Sequence, residues 1–246
     1  MWSGAIDEEL ITGREAEVIE AVRVFVRDWS CTATVMPRYV SRSSVIDLPR
    51  MTASVPRMLD DATMLSPLAD EHSSGNLLLA PESLSLGHPA WVAHSHDSFF
   101  MTLRKGVDLP TPTSDLRFER FSPTSFFDVW RSIPEVGPVV DTAVLEFAEP
   151  PMGQYLVVAL LNDQPVGTIR ITTGFGLGGM SLLAVTSTAR RGGVAKQLIA
   201  HGLLLAATDG CNTVHFQVDG QNERAIRLYS ELGASIAASY RYLRRI

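Results

Sequence analysis

Arg190-Arg191-Gly192-Gly193-Val194-Ala195 sets two cations and two glycines between an apolar strand and an apolar helix. The strand is expected over Met180–Val185 and the helix over Lys196–Thr208, with Gly210 past its end as a stop. A glycine turn feeding a helix N-terminus leaves backbone N–H groups unpaired, with the positive end of the helix dipole behind them. Such a turn cradles an anion, phosphate above all. Gly193 and Ala195 keep bulk away so that a diphosphate can approach the main chain, and Arg190, Arg191 and Lys196 add positive charge around it.

A second segment carries groups of a different kind. Asn212–Asp219 reads as a strand, and Asn222–Leu232 as a helix that stops at Gly233. On that helix Asn222 offers an amide near the N-terminus and Tyr229 a phenol two turns on. A phenol with an ordinary pKa of about 10 is protonated at neutral pH and can donate.

In this order the two segments resemble the GNAT superfamily of N-acetyltransferases. The family's turn, [Gln/Arg]-x-x-Gly-x-[Gly/Ala], is met by Arg190, Gly193 and Ala195. Its second signature, Asn-x-x-Ala-x-x-Leu-Tyr-x-x-Leu-Gly, is met by Asn222, Ala225, Leu228, Tyr229, Leu232 and Gly233. Three departures stand out: Arg191 where a glycine is commonest, Ala195 where the last glycine falls, and Ser187 where a proline is frequent.

The resemblance implies a donor, a chemistry and a set of residues. The donor is acetyl-CoA, bound as co-substrate, and no metal is expected. Its pantetheine arm would pair with the backbone of Leu183, Ala184 and Val185, and its diphosphate would take the N–H groups of Arg191, Gly192, Gly193, Val194, Ala195 and Lys196. Asn222 would hydrogen-bond the arm. A backbone N–H near Val185 would serve the thioester oxyanion, and Tyr229 would act as general acid toward the departing thiolate. The acceptor would be a primary amine, of a small molecule in preference to a protein lysine, attacking directly in a ternary complex. A different acyl-CoA donor, a lysine acceptor and a non-catalytic acetyl-CoA-binding module are the alternatives. The general base is not legible: Met180–Val185 carries no carboxylate, and Glu119, Glu135, Asp141, Glu146 and a water relay all stay open.

These residues need a scaffold. Leu116–Phe121 alternates like a half-buried strand, and Ser125–Ser132 and Pro138–Phe147 read as short helices. Gln154–Leu161 and Val166–Thr172 read as strands around the turn Asn162-Asp163-Gln164-Pro165, and Ser235–Arg241 as a last strand. The order is that of an α+β GNAT fold with a mixed, mainly antiparallel sheet, over roughly 130 residues, a size that suits one domain. Gly174-Phe-Gly176-Leu-Gly-Gly179 matches G-x-G-x-x-G, but it leads into a strand, not a helix, so a hairpin is expected in place of a dinucleotide site.

Val107–Asp115 holds two prolines and no apolar periodicity, which marks a linker. It divides an N-terminal α+β segment, 1–112, from the GNAT domain, 115–246. In the first part a helix is expected to about Trp29, capped through Thr12 and Glu15, and strands near Asn76–Ala80, Ala90–Ala93 and Phe99–Leu103. No second cofactor turn occurs there, so this part is expected to be either a degenerate GNAT-like half or an unrelated cap that walls the substrate cleft or makes a homodimer. His88, His94 and His96 lack the partners of a metal site and read as surface or loop residues. The net charge of −6 opposes nucleic acid and suits a cationic amine. No apolar run reaches the roughly 18 residues of a membrane span. Cys31 and Cys211 suggest no disulfide framework, so a cytoplasmic setting is expected.

Overall fold

The computed structural model describes residues 38–40, 43–48, 51–56, 77–81, 91–93, 97–104, 115–133, 153–174 and 177–245. The expected helices to Trp29 and over Pro138–Phe147, and His88, His94 and His96, lie outside them. Three short strands, β1 Arg38–Val40, β2 Ser43–Leu48 and β3 Met51–Pro56, form an antiparallel sheet.

The larger sheet has nine strands: β4 Leu77–Pro81, β5 Trp91–Ala93, β6 Ser98–Arg104, β7 Leu116–Arg120, β8 Gly153–Leu161, β9 Gln164–Gly174, β10 Leu177–Val185, β11 Thr213–Asp219 and β12 Ser235–Arg245. Their order is β4-β12-β6-β11-β10-β9-β8-β7, with β5 also paired to β12. Every pairing between described strands is antiparallel except β10 with β11. A parallel neighbour needs a crossover, and helix α2, Val194–Thr208, supplies it. The expected hairpins are present. Asn162 and Asp163 turn β8 into β9 with φ of 50° and 61°, the doubly left-handed turn that matches strand twist. The Gly174–Gly179 run joins β9 to β10 and opens no helix.

The division near residue 112 does not divide the sheet. Strand β6, from the first part of the chain, lies between β11 and β12 and pairs with both, from Ser98↔Asp219 to Arg104↔Thr213 on one side. Met101 and Leu103 of β6 are fully buried in the same core as Val157, Ile169, Ile171, Leu198, Phe216 and Tyr229. Strand pairing thus joins parts of the chain on either side of the expected linker.

The two faces of the sheet are covered differently. One face carries α2 and helix α3, Glu223–Glu231. Gly202 lets α2 approach closely: a Cβ there would stand 2.8 Å from Met180 Cε and 3.0 Å from Ile171 Cγ1. The other face carries helix α1, Pro123–Ser132, which starts at the Ser122 cap and sets Phe126, Phe127 and Trp130 on Leu156, Val158 and Leu160. Ile169 and Ile171 alternate with Thr168, Arg170 and Thr172 along β9, so this second face is polar in the middle of the sheet, yet all three are buried.

Candidate active site

The turn after β10 is built as an anion cradle. A short helical turn, Ser187–Ala189, follows the strand, and Arg190 Nε donates to the Val185 carbonyl at 3.2 Å, fastening the turn to the strand end. Arg191 then takes φ 66° and Gly193 φ 76°. Arg191 thus adopts the backbone that the family's usual glycine takes freely, at a cost on the order of 1 kcal/mol. Gly193 is the N-cap of α2 and offers no side-chain acceptor, and the first intrahelical bond runs from Gln197 N to Gly193 O at 3.0 Å. The N–H groups of Val194, Ala195 and Lys196 therefore have no intrahelical partner. Above Gly193 the space is open, since a Cβ would meet only Gln197 Nε2 at 3.9 Å.

A slot leads into the sheet from this cradle. The β10–β11 ladder runs from Leu177↔Thr213 to Met180↔Phe216 and stops. Beyond that rung Ser181–Val185 pairs only with β9, and Gln217–Asp219 only with β6. The ladder to β9 also slips between Ser181 and Ala184, where Leu182 has φ 53°. A bulge of this kind re-aims backbone groups. It falls at Leu182–Leu183, near the closed end of the slot. Leu183, Ala184 and Val185 line the slot's β10 side, and Val185 leads into the cradle.

Tyr229 sits at the same closed end. Its ring stacks on Phe216, the last laddered residue of β11, at 4.3 Å between centroids and 22° between planes. Burial pushes the phenol up to about 12 from its ordinary 10. It stays fully protonated at neutral pH but is a weaker acid than the sequence alone suggests. No hydrogen-bond partner for the hydroxyl occurs among the described residues.

Other expected residues are partly engaged. Lys196 Nζ pairs with Glu231 Oε2 at 2.8 Å, linking α2 to α3, and this ammonium holds the Glu231 carboxyl below its usual range. Asn222 is the N-cap of α3 and its Oδ1 accepts from Ala225 N at 3.1 Å, which leaves the amide NH2 to reach a ligand. Glu119 is set aside as a base: on β7, with β8 and β9 between it and β10, it is held by Arg117 Nε at 2.8 Å. Glu135, Asp141 and Glu146 lie outside the described residues. Among the described residues no group of three or more His, Cys, Asp or Glu is placed to hold a metal ion, and no helix is long and apolar enough to cross a membrane.

Sequence reasoning passed over His215. It lies on the polar face of the sheet, completely buried, stacked on Phe100 at 5.0 Å, and neither ring nitrogen has a hydrogen-bond partner. Burial holds its pKa down at about 4. The only signal for it was its place between Val214 and Phe216, which sends it to the face those two avoid.

A glycine turn at the N-terminus of α2 thus opens into a slot between two parted parallel strands. Residues 119–234 match the acetyltransferase (GNAT) family. The fold as a whole is similar to a GCN5-related N-acetyltransferase from Kribbella flavida, at 14% identity and TM-score 0.66 over 96% of each chain. It is also similar to a GCN5-related N-acetyltransferase from Sphaerobacter thermophilus, at 15% identity and TM-score 0.59, over 83% of this chain and 75% of that one. A third likeness is to a protein from Novosphingobium aromaticivorans described as an acetyltransferase of the GNAT family, at 14% identity and TM-score 0.60, over 85% of this chain and 91% of that one. No curated protein sequence matches the chain.

Proposed function

We propose that the protein transfers acetyl from acetyl-CoA to a primary amine of a small molecule, by direct attack in a ternary complex. The observation that carries this reading is the parting of β10 and β11 after Met180↔Phe216, on a line that runs into the uncapped N-terminus of α2. The diphosphate sits on the N–H groups from Arg191 to Lys196, with Arg190 bracing the turn. The pantetheine arm then runs back along Val185, Ala184 and Leu183 as an added strand, using their free ladder edge. Four residue steps from Val185 to Ser181 are about 13 Å of strand, and they bring the thioester to the closed end. Asn222 holds the arm through its amide.

There the amine nitrogen bonds to the acetyl carbon, the C–S bond breaks to release CoA thiolate, and the proton lost by nitrogen passes through water to that thiolate, leaving amide and CoA thiol. Backbone N–H groups freed by the bulge at Leu182–Leu183 face the oxyanion. Tyr229 donates a hydrogen bond to sulfur as it gains charge. With a thiol near 8.5 and the phenol near 12, complete transfer from Tyr229 is uphill by about 5 kcal/mol. The phenol therefore stabilises the leaving thiolate more than it protonates it.

The test is to follow thiol release and acetylated product by mass spectrometry with acetyl-CoA and a panel of amino acids, polyamines, arylalkylamines and aminosugars. Succinyl-CoA and a lysine peptide run alongside. Acetylation of a free small amine supports the proposal. Acetyl-CoA binding without product from any acceptor would leave a binding module, and a preference for succinyl-CoA or the peptide would replace donor or acceptor.

A further inference from the structure

We propose that His215 is the acceptor-binding residue: its imidazole, at the closed end of the slot on the sheet face away from α2 and α3, takes a hydrogen bond from the incoming amine. This rests on the transferase reading above and names a residue that neither the family motifs nor the cofactor geometry assigns.

Placement comes first. Val214, Phe216 and Val218 turn into the core with α2 and α3, so His215 and Gln217 turn to the opposite face. His215 lies one rung before the last paired rung of β10 and β11, directly beside Gly179. Gly179, its partner on β10, contributes no side chain beside the imidazole. Ser181 and Gln217, the first residues past the last rung, stand on the same face and are only partly buried, so they form the way in. Tyr229 occupies the other face at this depth, through its stack on Phe216. A thioester at the closed end thus lies between the phenol on one face and the imidazole on the other.

The imidazole's condition points to a ligand. His215 is 0% exposed, and neither Nδ1 nor Nε2 has a hydrogen-bond partner. A buried donor and acceptor left unmade is costly, and folded proteins keep few of them without a reason. A core position beside Phe100 would be served better by a phenylalanine, which would stack equally and leave no polar atom stranded. An amine arriving at the slot's end satisfies the ring's acceptor nitrogen. Burial also disfavours the ammonium form, so the amine is delivered neutral and able to attack without a carboxylate at hand. Phe100 belongs to β6, so the N-terminal part of the chain backs the ring that meets the acceptor.

The experiment uses the full chain with 15N-labelled histidine, and His215→Phe assigns its signals among the six histidines. CoA-loaded protein is titrated with the amine panel named above. The expected result is that the amine turned over with acetyl-CoA also shifts the His215 ring signals. His215→Phe should raise the KM of that amine about tenfold, with the acetyl-CoA Kd within about twofold and the melting temperature no lower. His215→Asn, which keeps an acceptor, should recover part of the loss. Turnover of an amine that leaves the ring signals unmoved, an unchanged KM in His215→Phe, or no shift with any amine would overturn the assignment. Absence of acetyl-CoA binding in the unmodified protein would instead remove the transferase reading beneath it.

Discussion

At the level of single residues, the fold fixes the protonation of two buried groups, Tyr229 and His215. Tyr229→Phe keeps the stack on Phe216 and removes only the hydroxyl, so kcat should fall roughly 10- to 100-fold, at the low end for such a donor. The acetyl-CoA Kd, read by calorimetry, should stay within about twofold; an unchanged kcat would take Tyr229 out of the reaction. His215 gives a pH signature. Its folded pKa is about 4 against 6.5 in the unfolded chain, so between those values the unfolded chain holds more protons. Its contribution to stability is therefore whole above pH 6.5 and falls by up to about 3 kcal/mol as pH drops to 4. Urea melts at pH 7 and pH 4.5 should show that loss in the natural protein and a smaller one in His215→Phe. Parallel curves would mean that the ring is not buried neutral. Tyr229, Asn222 and the cradle were legible because each sits at a fixed offset within one local motif. His215 was not, because its meaning comes from the sheet face it shares with residues of other strands.

At the level of elements, α2 is fastened to the sheet at the end remote from the cradle. Its C-terminal end is tied by Asp209, whose carboxylate accepts from the Tyr155 hydroxyl at 2.7 Å and from Thr173 Oγ1 at 2.6 Å. A carboxylate is poorly placed at a helix C-terminus, where the dipole is negative, so these two donors offset an unfavourable position. Asp209→Ala should cost about 1–2 kcal/mol in urea denaturation, because the buried Thr173 hydroxyl loses its partner. Acetyl-CoA affinity should hardly change, since the uncapped end of α2 lies at its far terminus. A loss of affinity larger than the loss of stability would show that the latch sets the cradle's geometry. Strand and helix identities were readable from alternation, turns and caps. The latch was not, because hydroxyl–carboxylate pairs from β8, β9 and α2 meet only after those elements have packed.

For the whole molecule, the sheet is shared across the linker. Without β6, strands β11 and β12 lose the partner between them, and Phe100, Met101 and Leu103 leave the buried interior. A fragment of residues 115–246 should therefore lack the cooperative thermal transition of the full chain. A sharp melt near that of the full chain would show that β6 is dispensable. The division was drawn from prolines and missing periodicity, and pairing between strands far apart in sequence leaves no local mark. The same holds for the parting of β10 and β11, which local pattern implied only through the family likeness.

The central claim is that the Arg191–Lys196 turn and the slot beyond it bind acetyl-CoA. Isothermal titration of acetyl-CoA into the full chain, beside the Gly193→Asp variant, tests it most directly. Aspartate at 193 would add negative charge and a side chain at a φ of 76° where the diphosphate is expected. The expected result is one site per chain in the natural protein and no measurable heat in the variant, with both proteins melting cooperatively. Equal binding by the two, or none by the natural protein, would contradict it.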